Sequence, residues 1–209
     1  MHSFLSPTQE ALVSNPPRRI FTRQRRALSS RERQAAAKHA SLHLYKLKHR
    51  IPHHANVAIY YDDFGELPTQ PILNWCLCLG LQPFLPVVGS RGKHDKKLMF
   101  APIYQYHLRN IATYTHRLGM QQPQSRKLIA ASQLDIIFCP LVAADKQGNR
   151  MGMGGGYYDA TLAHSHHFGL TKPLKIGWCY DFQVIEQLAR QSWDVPLDAL
   201  ITPSRIRWF

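Results

Sequence analysis

The chain has 209 residues, 44% of them hydrophobic, enough for one globular domain with a sizeable core and too apolar for a disordered chain. No run of about 18 apolar residues reads as a bilayer span, and the start "MHSFLSPTQEALVSNPPRR" lacks the basic-then-apolar order of a secretory signal. The net charge of +13 is uneven: residues 1–50 hold 11 Lys/Arg against 2 Asp/Glu (+9), and residues 51–209 hold the remaining 15 against 11 (+4). A basic segment of this kind suits nucleic acid, membrane phosphates or a polyanionic small molecule.

In chain order, residues 1–17 are expected to form an N-terminal extension, partly mobile, and residues 18–209 a single domain. The arginine-rich "RRIFTRQRR" leads into "SSRERQAAAKHASLHLYKLK" (29–48), where Ala36, Ala40, Leu44 and Leu47 recur at helical spacing behind a cap at Ser29 or Ser30. "NVAIYY" (56–61) reads as a buried strand ended by "DDFGE". "LPTQPILNWCLCLG" reads as a helix with Pro68 in its first turn and Gly80 closing it. "LQPFLPVV" (81–88) and "KLMFAPI" (97–103) read as strands. "LDIIFCPLVA" (134–143) has the continuous apolar character of a strand inside a parallel sheet. A helix beginning "YYDATLAHS", a strand "LKIGWCY" (174–180), a helix "DFQVIEQLARQS" (181–192) and a short strand "ALIT" (199–202) complete the chain. This alternation predicts an α/β fold: a mostly parallel central sheet flanked by helices, three-layered and Rossmann-like.

Cys76, Cys78, Cys139 and Cys179 form no C-x-x-C pair, and their spacing fits reduced thiols and a cytoplasmic protein, with Cys76 and Cys78 as small buried hydrophobes. His164, His166 and His167 resemble a metal tract but have no carboxylate beside them in sequence, which favours a solvated surface.

The stretch "NRMGMGGGYYD" (149–159) places Gly152, Gly154, Gly155 and Gly156 before a helix start. Bare glycine amides at a helix N-terminus form an anion-binding concavity, and Arg150 would add a fork for phosphate oxygens. The loop is neither a P-loop, since no lysine follows, nor a dinucleotide fingerprint, since Tyr157 stands where the last glycine belongs. Asp159 complements the helix dipole and, beside phosphates, could hold Mg²⁺; Asp194 in "SWDVPLD" is a second candidate.

"CPLVAADKQGNRMGMGGGYYDATLA" resembles the signature of the 5-formyltetrahydrofolate cyclo-ligase (methenyltetrahydrofolate synthetase) family. "YDDFGELPTQPIL", "LPVV", "WDVPLDALITPSRI" and "RRIFTRQRRALSSRER" extend the similarity over roughly residues 18–207. The resemblance implies an enzyme that cyclises 5-formyltetrahydrofolate to 5,10-methenyltetrahydrofolate with ATP and Mg²⁺, releasing ADP and phosphate through a phosphorylated N5-iminium intermediate. It assigns Arg18, Arg19, Arg150, Met151, Gly152, Met153, Gly154, Gly155, Gly156, Tyr157 and Tyr158 to ATP, with Arg150 and Tyr157 as catalytic. Tyr61, Glu66 and the segment from Met153 through Gly154, Gly155 and Gly156 to Tyr157 fall to the folate, and Asp159 and Asp194 to the metal. The expected partners are these small molecules, with no membrane, no nucleic acid and a monomeric state.

The chain departs from the family pattern at Ser14 (commonly lysine), Ala144 (commonly phenylalanine) and Gln122 (a glutamate before proline). It also carries Met153 and Gly155 where some members have a basic loop residue. The competing reading, a nucleic-acid-binding module built on the basic N-terminal segment with Phe21 and Tyr45, lacks any recognisable RRM or OB pattern.

Overall fold

A computed structural model describes residues 15–88, 96–116 and 121–209; Ser14 and the segment before it lie outside the described residues. The chain opens with α1 (Arg18–Ala27) and α2 (Ser30–Ser41). Ser29 starts α2 with a capping box, its hydroxyl accepting from the Glu32 amide while the Glu32 carboxylate accepts from the Ser29 amide. The apolar stripe expected to continue as α-helix tightens instead into a 3₁₀ segment, Leu44–Arg50. Leu44 and Leu47, three apart, stack on one edge of such a helix, and both are fully buried.

Then follow β1 (Asn56–Ala58), α3 (Gln70–Cys78), β2 (Gln82–Val88), β3 (Leu98–Pro102), β4 (Thr113–Thr115), β5 (Gln121–Pro123), β6 (Ile129–Ala130) and β7 (Ile136–Cys139). The second half holds β8 (Ala143–Asp145), β9 (Arg150–Met151), α4 (Tyr157–His167), β10 (Leu174–Trp178), β11 (Val184–Ile185), β12 (Ala199–Ile201) and β13 (Ile206–Trp208). Pro68 precedes α3, and Pro71 is the proline of its first turn.

The main sheet has the order β13-β12-β10-β7-β1-β2-β3-β6. Its five central strands, β12 to β2, are parallel, and the edges β13, β3 and β6 are antiparallel. Residues of β7 alternate between two cores. Ile136 and Phe138 pack with α2, the 3₁₀ segment and α3 on one face, while Ile137 and Cys139 pack with Leu162 of α4 on the other. Sheet order reverses between β1 and β7, the switch point whose carboxyl end carries ligand sites in open α/β sheets.

The apolar run 134–143 divides: β7 stays in the main sheet, and β8 leaves it to pair with β9 and β11. The helix expected over 181–192 is absent. A 3₁₀ turn, Asp181–Gln183, and β11 replace it. Gln183 is buried, donating to the carbonyls of Leu141 (3.3 Å) and Val142 (2.8 Å), and its Oε1 accepts from the Tyr180 amide (3.0 Å). The β8–β11 pairing engages the backbone at 184–185, and the amides of Leu188, Ala189 and Gln191 bond to the side chains of Asp145, Asn15 and Asp194, so the backbone groups a helix would have used are taken elsewhere.

Asp145, fully buried, ties this region together. Its Oδ1 accepts from the amides of Gln147 and Asn149, both at 2.9 Å, and its Oδ2 accepts from Asn149 Nδ2 at 2.8 Å and the Leu188 amide at 3.0 Å. One carboxylate thus closes the β8–β9 hairpin and pins the strap at 188. Asp145→Asn turns one acceptor into a donor facing donors. It should lower the unfolding free energy by about 3 kcal/mol, since buried groups bonded to a charge are costly to unpair. Urea denaturation checks this; a loss under about 1 kcal/mol would contradict the assignment.

Candidate functional site

A cavity of about 1230 Å³ opens at the carboxyl ends of the parallel strands. That exceeds the roughly 300–1,000 Å³ of a single small-molecule site and leaves room for two ligands. One wall is the loop after β1, from Tyr60 to Glu66, and another is the glycine loop with the start of α4. The strap 188–194 and the β4–β5 hairpin close the remaining sides.

The glycine loop has the conformation its composition implies. Gly154 (φ +99°) and Gly156 (φ +72°) lie in the left-handed region. A Cβ on Gly154 would meet nothing within 4 Å, and one on Gly156 would come only within 3.9 Å of Lys96 Nζ. The backbone therefore borders open space, the shape expected of a cradle. Gly156 is the N-cap of α4 and provides no side-chain cap, so the positive end of the helix is left for a ligand. Arg18 at the start of α1 joins the same loop, its Nε donating to the Gly152 carbonyl at 2.7 Å.

Arg150 and Asp159, read separately from sequence, are partners here: Arg150 Nη2 donates to Asp159 Oδ1 at 2.7 Å. The arginine side chain is 4% exposed, and its Nε has no hydrogen-bond partner among the described residues. The same Asp159 oxygen accepts from the Val195 amide at 3.1 Å. The guanidinium is thus already oriented, with part of its donor fork taken by the carboxylate. Asp194 lines the same cavity, its Oδ2 accepting from the Gln191 amide at 2.8 Å. Two carboxylates are hard oxygen donors suited to Mg²⁺, which ordinarily completes its shell with water and substrate phosphates. Among the described residues no group of three or more metal-binding side chains exists, so such an ion would depend on the nucleotide for its remaining ligands.

Glu66 sits at the other side of the cavity, brought there by a turn through Phe64 (φ +50°) and Gly65 (φ +76°). A Cβ on Gly65 would lie 2.9 Å from the backbone carbonyl of Arg25, so only glycine lets this turn rest on α1. Arg25 is 1% exposed and donates through Nη1 to Leu141 O (3.1 Å) and to Glu66 Oε1 (3.4 Å). Burial pushes the Glu66 carboxyl up to about 7, with the Arg25 charge and the Asp63 amide opposing the rise. Tyr61 lines the cavity, and its hydroxyl is buried without a partner among the described residues; burial raises it to about 12.

Of the residues expected from sequence, Arg18, Tyr61, Glu66, Asp194 and all from Arg150 to Asp159 border this one cavity. Arg19 does not: it is exposed and absent from the lining, one position round the helix from Arg18. Sequence reasoning missed the cations Lys96, Arg109 and Arg190, the strap that carries Arg190, and the buried Arg25 behind Glu66. The amphipathic helix pattern offered a signal for Arg25 alone, since it falls four residues after Phe21 on the buried face of α1. Cys76 is buried as expected, but Cys78 is exposed; all four cysteines are free. His164, His166 and His167 are exposed at the end of α4, two of their rings against Phe168.

The profile of the 5-formyltetrahydrofolate cyclo-ligase family matches residues 15–203. The chain belongs to this family. It is 33% identical over 189 residues to the Escherichia coli 5-formyltetrahydrofolate cyclo-ligase, covering 90% of this chain and 98% of that protein. Identity to the Haemophilus influenzae enzyme of the same name is 29% over 188 residues, covering 84% and 96%. Among solved structures, Aquifex aeolicus 5,10-methenyltetrahydrofolate synthetase superposes with a TM-score of 0.71 at 27% identity, covering 91% of this chain and 90% of that one. The Mycoplasma pneumoniae synthetase gives 0.66 at 25% identity, covering 89% and 96%. Family membership makes this protein an enzyme of the cyclo-ligase class. No helix among the described residues is long and apolar enough to cross a membrane.

The Glu66 carboxyl, at about 7 when folded against an ordinary 4.5, binds more protons in the folded state between those values. Stability is therefore greatest below about 4.5 for this group and falls as pH rises through about 7. Glu66→Gln should remove that slope, gaining on the parent by up to about 3 kcal/mol between pH 4.5 and pH 8. The unpaired Arg25 left behind sets only a constant offset. Denaturation midpoints at several pH values test this, and a pH-independent difference would refute it.

Proposed function

We propose that the cavity carries out the ATP- and Mg²⁺-dependent cyclisation of 5-formyltetrahydrofolate to 5,10-methenyltetrahydrofolate, releasing ADP and phosphate. One observation carries the reading. A single cavity large enough for two ligands has an anion cradle on one side and a buried carboxylate on the other. The family to which the chain belongs supports the same pairing of substrates.

The cradle receives the triphosphate. The amides of residues 152–156, the N-terminus of α4 and the cations Arg18, Lys96 and Arg190 provide the positive potential. The pterin lies against the loop after β1, where its adjacent amino and ring N–H donors meet Glu66. A carboxyl raised to about 7 by burial gains most from such donors, because they offset its desolvation. In this orientation the formyl oxygen faces the γ-phosphorus and attacks it, and ADP leaves. N10 then attacks the resulting N5-iminium phosphate carbon, and phosphate departs. Phosphorylation matters because an amide oxygen is otherwise a poor leaving group. Arg150, held by Asp159, presents fixed positive charge to the transferring phosphoryl, a preorganised contribution that water could not match. Tyr157, at the first turn of α4, borders both ligands. Asp159 and Asp194 are the residues that would hold Mg²⁺, which supplies charge neutralisation to the phosphate oxygens.

Turnover is read from the near-ultraviolet absorbance of the methenyl product. Arg150→Ala should lower kcat by roughly 10²–10³, whereas Gly154→Val should abolish ATP binding by calorimetry in a chain that remains folded. Asp159→Asn should retain nucleotide binding and lose Mg²⁺-dependent turnover. Normal ATP affinity in the valine variant would reduce the glycines to a bend in the chain, and wild-type kcat in Arg150→Ala would remove that residue from the chemistry.

A further inference from the structure

Trp193 lines the cavity and is 67% exposed, although tryptophan is on average a highly buried residue. The turn that carries it is tied down. The Asp194 amide donates to the Gln191 carbonyl at 3.1 Å, and Asp194 Oδ2 accepts from the Gln191 amide at 2.8 Å. Just before the turn, Asn15 and Ala189 exchange two hydrogen bonds: Nδ2 donates to the carbonyl at 3.1 Å, and Oδ1 accepts from the amide at 2.8 Å. Just after it, the Val195 amide donates to Asp159 at 3.1 Å. The backbone is thus fixed while the indole stays uncovered, an arrangement suited to a flat ligand. The other tryptophans are placed differently. Trp75 and Trp178 belong to the core, and Trp208 lies under the Arg50 guanidinium, 4.0 Å from its ring centre.

We propose that the Trp193 indole is the platform on which the adenine ring of ATP stacks. The inference rests on the nucleotide reading above. Position selects the nucleotide over the folate. Leu188, at the start of the strap, packs with Phe21 of α1 and Met151 of β9. Val195, just beyond its end, packs with Leu162 of α4. The strap therefore crosses the three elements that frame the glycine loop: α1 with Arg18, β9 with Arg150, and α4 with its uncapped start. Arg190 and Asp194 flank the indole in the chain, a cation for phosphate oxygens and a carboxylate for the metal in that reading. Glu66, the group assigned to the pterin, belongs to the loop after β1 instead. Chemistry selects the same partner. The cradle can hold only the anionic part of a nucleotide, and the neutral purine needs an apolar face, which stacking on an aromatic ring provides.

Equilibrium titrations compare wild type with Trp193→Leu and Trp193→Phe, using MgATP and magnesium tripolyphosphate as probes and tryptophan fluorescence and calorimetry as readouts. MgATP should quench wild-type emission and tripolyphosphate should not, because Trp193 is the one tryptophan of four on the cavity wall. Trp193→Leu should abolish the quench and raise the ATP Kd roughly tenfold, while Trp193→Phe, which keeps a stacking face, should raise it by a few-fold at most. Tripolyphosphate affinity and the folate KM at saturating ATP should stay at their wild-type values in both. Melting curves establish that the variants are folded; should the leucine variant unfold, the wild-type quench with each probe decides. Unchanged ATP affinity in Trp193→Leu overturns the proposal and leaves the cyclo-ligase reading intact. Equal losses for ATP and tripolyphosphate overturn it too, since the residue would then be shaping the cradle. So does a loss confined to 5-formyltetrahydrofolate, which would give the indole to that ligand. A wild-type protein that neither binds MgATP nor turns over 5-formyltetrahydrofolate defeats that reading, and this inference with it.

Discussion

The site depends on the four hydrogen bonds received by the buried carboxylate of Asp145. Two of them, from the amides of Gln147 and Asn149, close the turn that leads into β9 and Arg150. A third, from the Leu188 amide, fastens the strap that carries Arg190 and Asp194 over the cavity. Without an acceptor at that point, three backbone amides, that of Leu188 buried, would lose their partner, and the hairpin and strap would have no common anchor. A carboxylate suits the task because it brings acceptor capacity for several donors and no proton of its own. Ala144 beside it is fully buried between β9 and β11, so a small side chain is compatible with the close pairing there.

Around that anchor the fold divides its labour by layer. The parallel strands end at a reversal of sheet order, and each end feeds a loop with different chemistry. β1 delivers the carboxylate-bearing turn and β7 runs on toward the small sheet with its basic residue, while α4 turns its positive end toward the space between. The two faces of the sheet are filled by separate apolar cores. Among the described residues, partnerless buried atoms occur on Tyr61, Gln122 and Arg150, which line the cavity, and on Arg25 and Trp75, which do not. Those on the cavity wall are placed where a ligand could complete them.

Much of this was legible in the chain. "IIFC" reads as a two-sided buried strand because every residue in it is apolar, and the glycine loop reads as a close-approach segment because four of five positions lack a side chain. Segment 181–192 was not legible. Its apolar spacing imitates a helix, and the decisive contacts of Gln183 are to carbonyls some forty residues away. Periodicity carries no information about such partners. The same holds for the Arg150–Asp159 pair: both residues were identified, but that one holds the other is a fact of distance in space. That Arg18 and not Arg19 lines the cavity is likewise a fact of space, since adjacent positions on a helix point about 100° apart.

One consequence follows from α1 touching the site twice. Arg18 grips the carbonyl of Gly152 near one end, and Arg25 holds Glu66 through its guanidinium near the other, while Gly65 rests directly on the helix backbone. Seven residue steps of α-helix lead from one arginine to the other, a rigid strut of about 10 Å. The glycine loop and the carboxylate-bearing turn thus both rest on one short helix, which sets the spacing between two chemically unlike walls of the cavity.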